Sequence, residues 1–310
     1  MAHPFRFAVQ MSNAPSGREW RALARQVEDL GYSTLFIPDH FGDQWGPLVA
    51  MTVAAEATSR LNVGALVFDN DYRHPVVLAK EIATLDLVSE GRVEFGLGAG
   101  WMVTDYEQSG IALDPPGARI DRMVESLGVM KALWSDGKAD LDGRHYSIRG
   151  AEGTPPPVSS PHPKIIIGGG GKRVLSIAAR EADIIGVNPS LVSGAIGPEV
   201  AQSAKAERFR ERIDWIRAAA GDRFDRLELQ LNTFIVNITD DRPGVAEMLA
   251  GGFGLTLEEA LEVPLAFVGT VDDICDQLRE RRETYGFSYI VVHQGEIESF
   301  AKIVARLAGT

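Results

Sequence analysis

Asp39 and His40 are the adjacent pair best suited to proton chemistry in this 310-residue chain. An imidazole exchanges a proton near neutral pH, and a carboxylate beside it can orient or tune the ring. The alternative is a histidine bonded to a neighbouring helix for structural reasons alone. A second candidate is the run Gly168, Gly169, Gly170 and Gly171, which follows Ile165, Ile166 and Ile167 and precedes a helical pattern opened by Lys172 and Arg173. Glycines at a strand-to-helix turn let backbone N–H groups approach an anion, and the helix N-terminus adds the positive end of its dipole. The spacing is neither that of a nucleoside-triphosphate loop nor that of the dinucleotide fingerprint, whose last glycine would fall at Arg173. The run therefore reads as a phosphate cup or as a turn needing positive φ. Lys172 and Arg173 either pair with that phosphate or project into solvent. A second glycine cluster, Gly96, Gly98 and Gly100 in VEFGLGAGW, ends another strand-like run, and the following Trp101 either walls a planar ring or packs.

These residues need elements to hold them. Apolar β-branched runs alternate with helical patterns along the chain. The predicted strands are 5–11, 35–37, 61–68, 93–100, 165–167, 182–188, 227–237 and 289–293, and the predicted helices between them include 16–30, 46–59, 76–88, 117–134, 199–220, 270–285 and 297–307. Thr270 and Asp273 have the spacing of a capping box. Eight strands with intervening helices predict an α/β fold, a single (β/α)8 TIM barrel over residues 1–310, with insertions after strands 4, 6 and 7. Those are Ser135–Pro163, a hairpin plus an extended segment; Pro189–Pro198, a mobile loop; and Thr239–Pro264, with short helices and a flexible Gly251-Gly252.

In a barrel, function belongs at the strand C-termini. The residues there are Asp39 and His40; Asp69, Asn70 and Asp71; Gly98, Ala99 and Gly100; the glycine cup; Asn188; Asn237; and His293 with Gln294. His74 reads as a helix-start residue beside Pro75, His293 as structural, and Asp105 and Glu107 as solvated or capping. Six histidines without an H-E-x-x-H pattern predict no metal.

Composition narrows the class further. A net charge of −12 argues against nucleic acid and provides no polybasic patch for a membrane. The sole cysteine, Cys275, excludes a disulfide scaffold and a cysteine metal cluster. With no signal-like N-terminus and no run of spanning length, a cytoplasmic protein is expected.

TLFIPDHF at 34–41, LNVGALVFDNDYRHP at 61–75, GRVEFGLGAGWMVTDY at 91–106, and IIIGGGGKR with ADIIGVN at 165–188 together resemble the luciferase-like monooxygenase superfamily, in its branch of F420-dependent oxidoreductases. The resemblance implies an insertion-bearing barrel, usually dimeric, that holds a deazaflavin or flavin with its phosphate end on Gly168–Gly171. Asp39 and His40 match the pair beside the deazaflavin ring, with His40 donating or abstracting a proton and Asp39 orienting it or the ring. A non-prolyl cis peptide behind the ring falls around Val67 and Phe68. Gly98, Ala99 and Gly100 match a turn at the cofactor tail, and Asn70 and Asn188 join the binding set. Some members carry an acid directly after that turn. Trp101 stands there instead, so no catalytic role for a strand-four acid, and no sugar-phosphate substrate, is expected.

The expected function is hydride transfer between C5 of F420 and a small organic substrate. An FMN-dependent monooxygenase served by a partner reductase is the alternative, and a non-catalytic cofactor-binding barrel is the third reading.

Overall fold

The computed structural model describes residues 3–195 and 197–310. Its first half contains β1 (Arg6–Gln10), α1 (Gly17–Asp29), β2 (Thr34–Ile37), α2 (Pro47–Ala57), β3 (Asn62–Ala65), β4 (Phe68–Asp69), α3 (Pro75–Val88), β5 (Val93–Gly98), α4 (Val103–Ser109), α5 (Pro116–Ser135), β6 (Lys138–Asp142) and β7 (Ser147–Glu152). The second half continues with β8 (Lys164–Gly169), α6 (Lys172–Glu181), β9 (Ile184–Val187), α7 (Pro198–Ser203), α8 (Ala206–Ala220), β10 (Glu228–Asn232), β11 (Ile235–Ile238), α9 (Arg242–Phe253), α10 (Leu257–Glu262), β12 (Ala266–Gly269), α11 (Val271–Tyr285), β13 (Phe287–His293) and α12 (Ile297–Leu307). The main sheet runs β3-β2-β1-β13-β10-β9-β8-β5-β4, and a β3–β5 pairing closes it. With β3 and β4 counted as one interrupted strand, this is the (β/α)8 barrel. None of the described helices is long and apolar enough to cross a membrane.

By internal contacts the chain divides into two compact units. One comprises Met1–Gln10, Gln26–Thr34 and Ile167–Thr310. Its sheet pairs β1 with β13 in parallel register, Arg6 opposite Tyr289 and Gln10 opposite His293. Phe7, Val9, Ile290, Val292 and Phe300 are fully buried, and the Phe7 and Phe300 rings meet edge-on at 5.8 Å. Burial of each such ring contributes about 2 kcal/mol. The other unit comprises Met11–Arg25 and Leu35–Ile166. Its core stacks Phe68, Phe95 and Trp134, and the Trp134 indole N–H donates to the Ala79 carbonyl on α3 at 2.9 Å.

Several sequence expectations need correction. The third strand is broken, because the Leu66–Val67 peptide is cis and separates β3 from β4. The expectation of a non-prolyl cis bond around Val67 and Phe68 is met by this bond. The seventh strand is also two: β10 stays in the barrel, while β11, half-buried throughout, pairs with β12 in a separate parallel sheet. Apolar residues continue through both, from 227–231 to 234–236, which hides the change of sheet, and β12 is a further strand beyond the eight expected. The helix expected over 199–220 is interrupted where Lys205 takes an extended conformation as the N-cap of α8. Gly251 and Gly252 lie inside α9, which ends at Gly254 in the left-handed region. Packing of Leu249 with Ala260 and Val268 outweighs their poor helix propensity. The antiparallel β6–β7 pair and the Thr270–Asp273 capping box form as read. The Pro189–Pro198 loop includes Ile196, outside the described residues.

Candidate active site

The β2 strand TLFI is buried along its whole length, and Pro38 delivers Asp39 and His40 at its end. Asp39 is 6% exposed. Arg73 grips its carboxylate in a fork, Nη1 to Oδ2 at 2.5 Å and Nη2 to Oδ1 at 2.9 Å, and the Asp69 backbone N–H donates to Oδ2 at 3.1 Å. The Arg73 guanidinium lies 5.1 Å from the Phe68 ring centre. A bidentate pair of this kind fixes both partners. Asp39 therefore ties the end of β2 to β4 and the turn that follows it.

The carboxylate that meets His40 belongs to Asp105. His40 Nδ1 lies 2.6 Å from Asp105 Oδ2, with the Asp105 side chain 4% exposed and that of His40 22% exposed. An ionised carboxylate only accepts hydrogen bonds, so Nδ1 carries the proton and Nε2 is the nitrogen left for exchange. The Phe41 backbone N–H donates to Asp105 Oδ1 at 3.3 Å, and the Tyr72 hydroxyl to Oδ2 at 3.2 Å. Burial, with Asp69 and Asp105 nearby, holds the Tyr72 phenol above its ordinary range, so it remains a donor. Trp101 presents an edge-on contact to His40 at 5.7 Å.

The reading of Asp105 as solvated or capping is thus corrected, since its carboxylate is buried against His40. The acid comes four residues beyond Trp101, on α4, a seven-residue helix too short for its periodicity to show in the sequence. Glu107 is exposed, as read.

A second carboxylate cluster lies behind this one. Asp69 is 7% exposed, and its oxygens accept from the Asp71 backbone N–H at 2.9 Å and the Tyr106 hydroxyl at 3.1 Å. Burial and the neighbouring Asp71 push the Asp69 carboxyl up to about 6, against the lowering effect of these hydrogen bonds. Asp71 is held by Arg122, Nε to Oδ1 at 2.8 Å and Nη2 to Oδ2 at 3.0 Å.

The glycines after the fourth strand make room for these groups. A Cβ on Gly98 would lie 2.6 Å from Val67 Cγ2, and one on Gly100, where φ is +73°, would lie 2.5 Å from Asp69 Oδ2 and collide with the Tyr106 hydroxyl. Val67 is half-buried and Phe68 fully buried. The Ala99 and Gly100 carbonyls accept from Arg119 at 3.2 and 2.5 Å. Asn70 is buried and donates to the Tyr146 hydroxyl at 3.3 Å. His74 caps α3 by accepting from the Val76 N–H.

In the first unit, Gly168–Gly171 bridge β8 and α6. The Asn188 N–H donates to the Gly169 carbonyl at 2.9 Å, and a Cβ on Gly170 would lie 2.7 Å from the Asn188 carbonyl oxygen. Gly171 is the N-cap of α6 and supplies no side-chain cap, and a Cβ there would meet nothing within 4 Å. The glycine N-cap thus leaves open space at the start of α6, room that fits an anionic oxygen. His293 Nε2 lies 2.7 Å from the Thr233 carbonyl, in keeping with a structural role, and Asn237 lies within β11.

A sequence profile described as luciferase-like monooxygenase matches residues 1–288. Uncharacterized proteins of Mycobacterium tuberculosis and Mycobacterium bovis are 32% identical over 52% of this chain, which spans 64% of their length. The phthiodiolone/phenolphthiodiolone dimycocerosates ketoreductase of M. tuberculosis is 29% identical over 87% of this chain and 79% of its own. Among solved structures, the coenzyme F420-dependent tetrahydromethanopterin reductase of Methanopyrus kandleri superposes with TM-score 0.77 at 18% identity, covering 99% of both chains. The long-chain alkane monooxygenase LadA gives TM-score 0.77 at 17% identity over 99% of this chain and 92% of its own. At these identities the two structures share the fold.

Proposed function

The chain belongs to the luciferase-like monooxygenase family, and from that premise we propose that it is an F420-dependent oxidoreductase acting on a small ketone or secondary alcohol. The observation that carries the reading is the 2.6 Å bond from His40 Nδ1 to Asp105, which fixes the tautomer and turns Nε2 into the exchanging nitrogen. When bound, F420 supplies or accepts the hydride at C5. His40 delivers the accompanying proton to the carbonyl oxygen in reduction and removes it from the alcohol in oxidation. Asp105 and Tyr72 hold the imidazole, and Trp101 walls one side of it. Asp39, through Arg73 and the Asp69 N–H, braces the segment that carries His40. Similarity to a ketoreductase supports the carbonyl/alcohol pair, and resemblance of the Asp39-His40 segment to F420 enzymes supports the cofactor.

The test is an anaerobic assay that follows the visible absorbance of F420 with a panel of secondary alcohols, and its recovery from reduced F420 with the matching ketones. Turnover is expected in wild type and is expected to fall by about 10²–10⁴ in His40→Ala with F420 affinity preserved. Unchanged turnover in the variant contradicts the assignment.

The family description itself favours a second reading, an FMN-dependent monooxygenase fed by a reductase partner. Oxygen uptake with reduced FMN in the presence of an organic substrate would support that reading and displace the first.

A further inference from the structure

On β1, β10 and β13 the side chains sort by strand periodicity into two faces. Phe7, Val9, Leu229, Leu231, Ile290 and Val292 form one face, apolar and buried. The opposite face is mixed, with Ala8 and Val291 buried between polar side chains. Near the strand starts, Arg6 bonds Glu228 at 2.6 Å and lies 3.5 Å over the Tyr289 ring. Near the strand ends, Asn232 Nδ2 donates to Gln10 Oε1 at 3.0 Å. Two buried atoms on this face of β10 have no protein partner, and they are of opposite sense: Gln230 Nε2, a donor, and Asn232 Oδ1, an acceptor. Gln230 is 1% exposed. With Asn232 Nδ2 given to Gln10, Oδ1 is the end of that amide left without a protein partner. The next residue, Thr233, also 1% exposed, carries a buried hydroxyl without a partner.

Leaving such atoms unpaired costs about 1–3 kcal/mol each, so a fold that retains them invites a ligand explanation. An anion would satisfy Gln230 and be repelled by Asn232 Oδ1. A lone ketone oxygen would satisfy the donor only. A neighbouring C=O and N–H on one planar ring satisfies both.

We propose that Gln230 and Asn232 bind the C=O/N–H edge of the pyrimidine ring of a deazaflavin or flavin. Gln230 Nε2 donates to the ring carbonyl, and the ring N3–H donates to Asn232 Oδ1. The proposal rests on the reading that the protein takes a cofactor of this tricyclic class, but it does not depend on hydride transfer or on the phosphate.

The test is a fluorescence titration of the full chain with two tailless probes, lumiflavin and 3-methyllumiflavin, the latter unable to donate from N3, with F420 titrated in parallel. Wild type is expected to bind lumiflavin ~10-fold more tightly than its methylated counterpart, the worth of one buried hydrogen bond. Asn232→Leu is expected to reduce that preference to under about twofold, and Gln230→Leu to weaken both probes about 10-fold with the preference kept, each with the wild-type circular dichroism. Equal wild-type affinity for the two probes overturns the proposal, as does binding of neither, and both outcomes are read on wild type alone. F420 binding without discrimination between the probes defeats this inference and leaves the proposed function standing. Discrimination without F420 turnover does the reverse.

Discussion

Asp105 does for His40 what the sequence suggested Asp39 would do. The test of a positioning role is a split between kinetic constants. Asp105→Asn is expected to lower kcat about 10- to 100-fold while KM stays within about twofold, because the proton-exchanging nitrogen is misassigned but the substrate pocket is intact. The hydrogen-bonded Nδ1 proton should disappear from the imidazole NMR spectrum in the same variant. A variant that keeps both the rate and the proton signal contradicts the role. Asp69 offers a separate prediction through linkage. Its folded-state value of about 6 lies above the ordinary 3.8, so the native state holds the proton more tightly than the unfolded chain. Stability should therefore fall as pH rises from 4 towards 6 and level off above, with a contribution of about 3 kcal/mol. Urea unfolding of Asp69→Asn at pH 4 and at pH 6.5 should show a smaller loss than wild type. An identical loss contradicts it. At this scale the sequence displayed Asp39 and His40, since both stand next to a strand that any apolar-pattern reading finds. It concealed Asp105, Arg73 and Tyr72, because their roles arise from contacts 33 to 65 residues away in the chain.

Elements were legible where local chemistry dictates them. Thr270 Oγ1 accepts the Asp273 N–H at 3.2 Å, and Asp273 Oδ2 accepts the Thr270 N–H at 2.9 Å, the reciprocal pair that the spacing foretold. Thr270→Ala should cost about 1 kcal/mol in urea unfolding. The glycine turn after β8 was legible as a turn. Its close approach to the Asn188–Pro189 backbone was not, because that backbone comes from the next strand end. Gly170→Ala should destabilise by about 1–3 kcal/mol through overpacking and weaken binding of a phosphate-bearing cofactor, whereas Gly171→Ala should keep wild-type stability. Equal stability losses at the two positions contradict this distinction. The break within the seventh strand escaped pattern reading for a simple reason. Hydrophobic alternation reports burial of a face, not the identity of the sheet that buries it.

For the molecule as a whole, eight strand–helix alternations sufficed to foresee a barrel, while the choice between F420 and FMN depends on ring and tail contacts that periodicity does not encode. Val49 on α2 and Val77, Leu87 and Val88 on α3 are exposed, and we propose that a homodimer covers them. Light scattering should give twice the 33.6 kDa chain mass, and Val49→Glu with Val77→Glu should give the monomer. The most direct measurement of the central claim is an anaerobic equilibrium titration of the purified protein with F420 and, separately, with FMN. The account expects saturable F420 binding at least ~10-fold tighter than FMN, with affinity kept in His40→Ala. Tight FMN binding with no binding of F420 would contradict it.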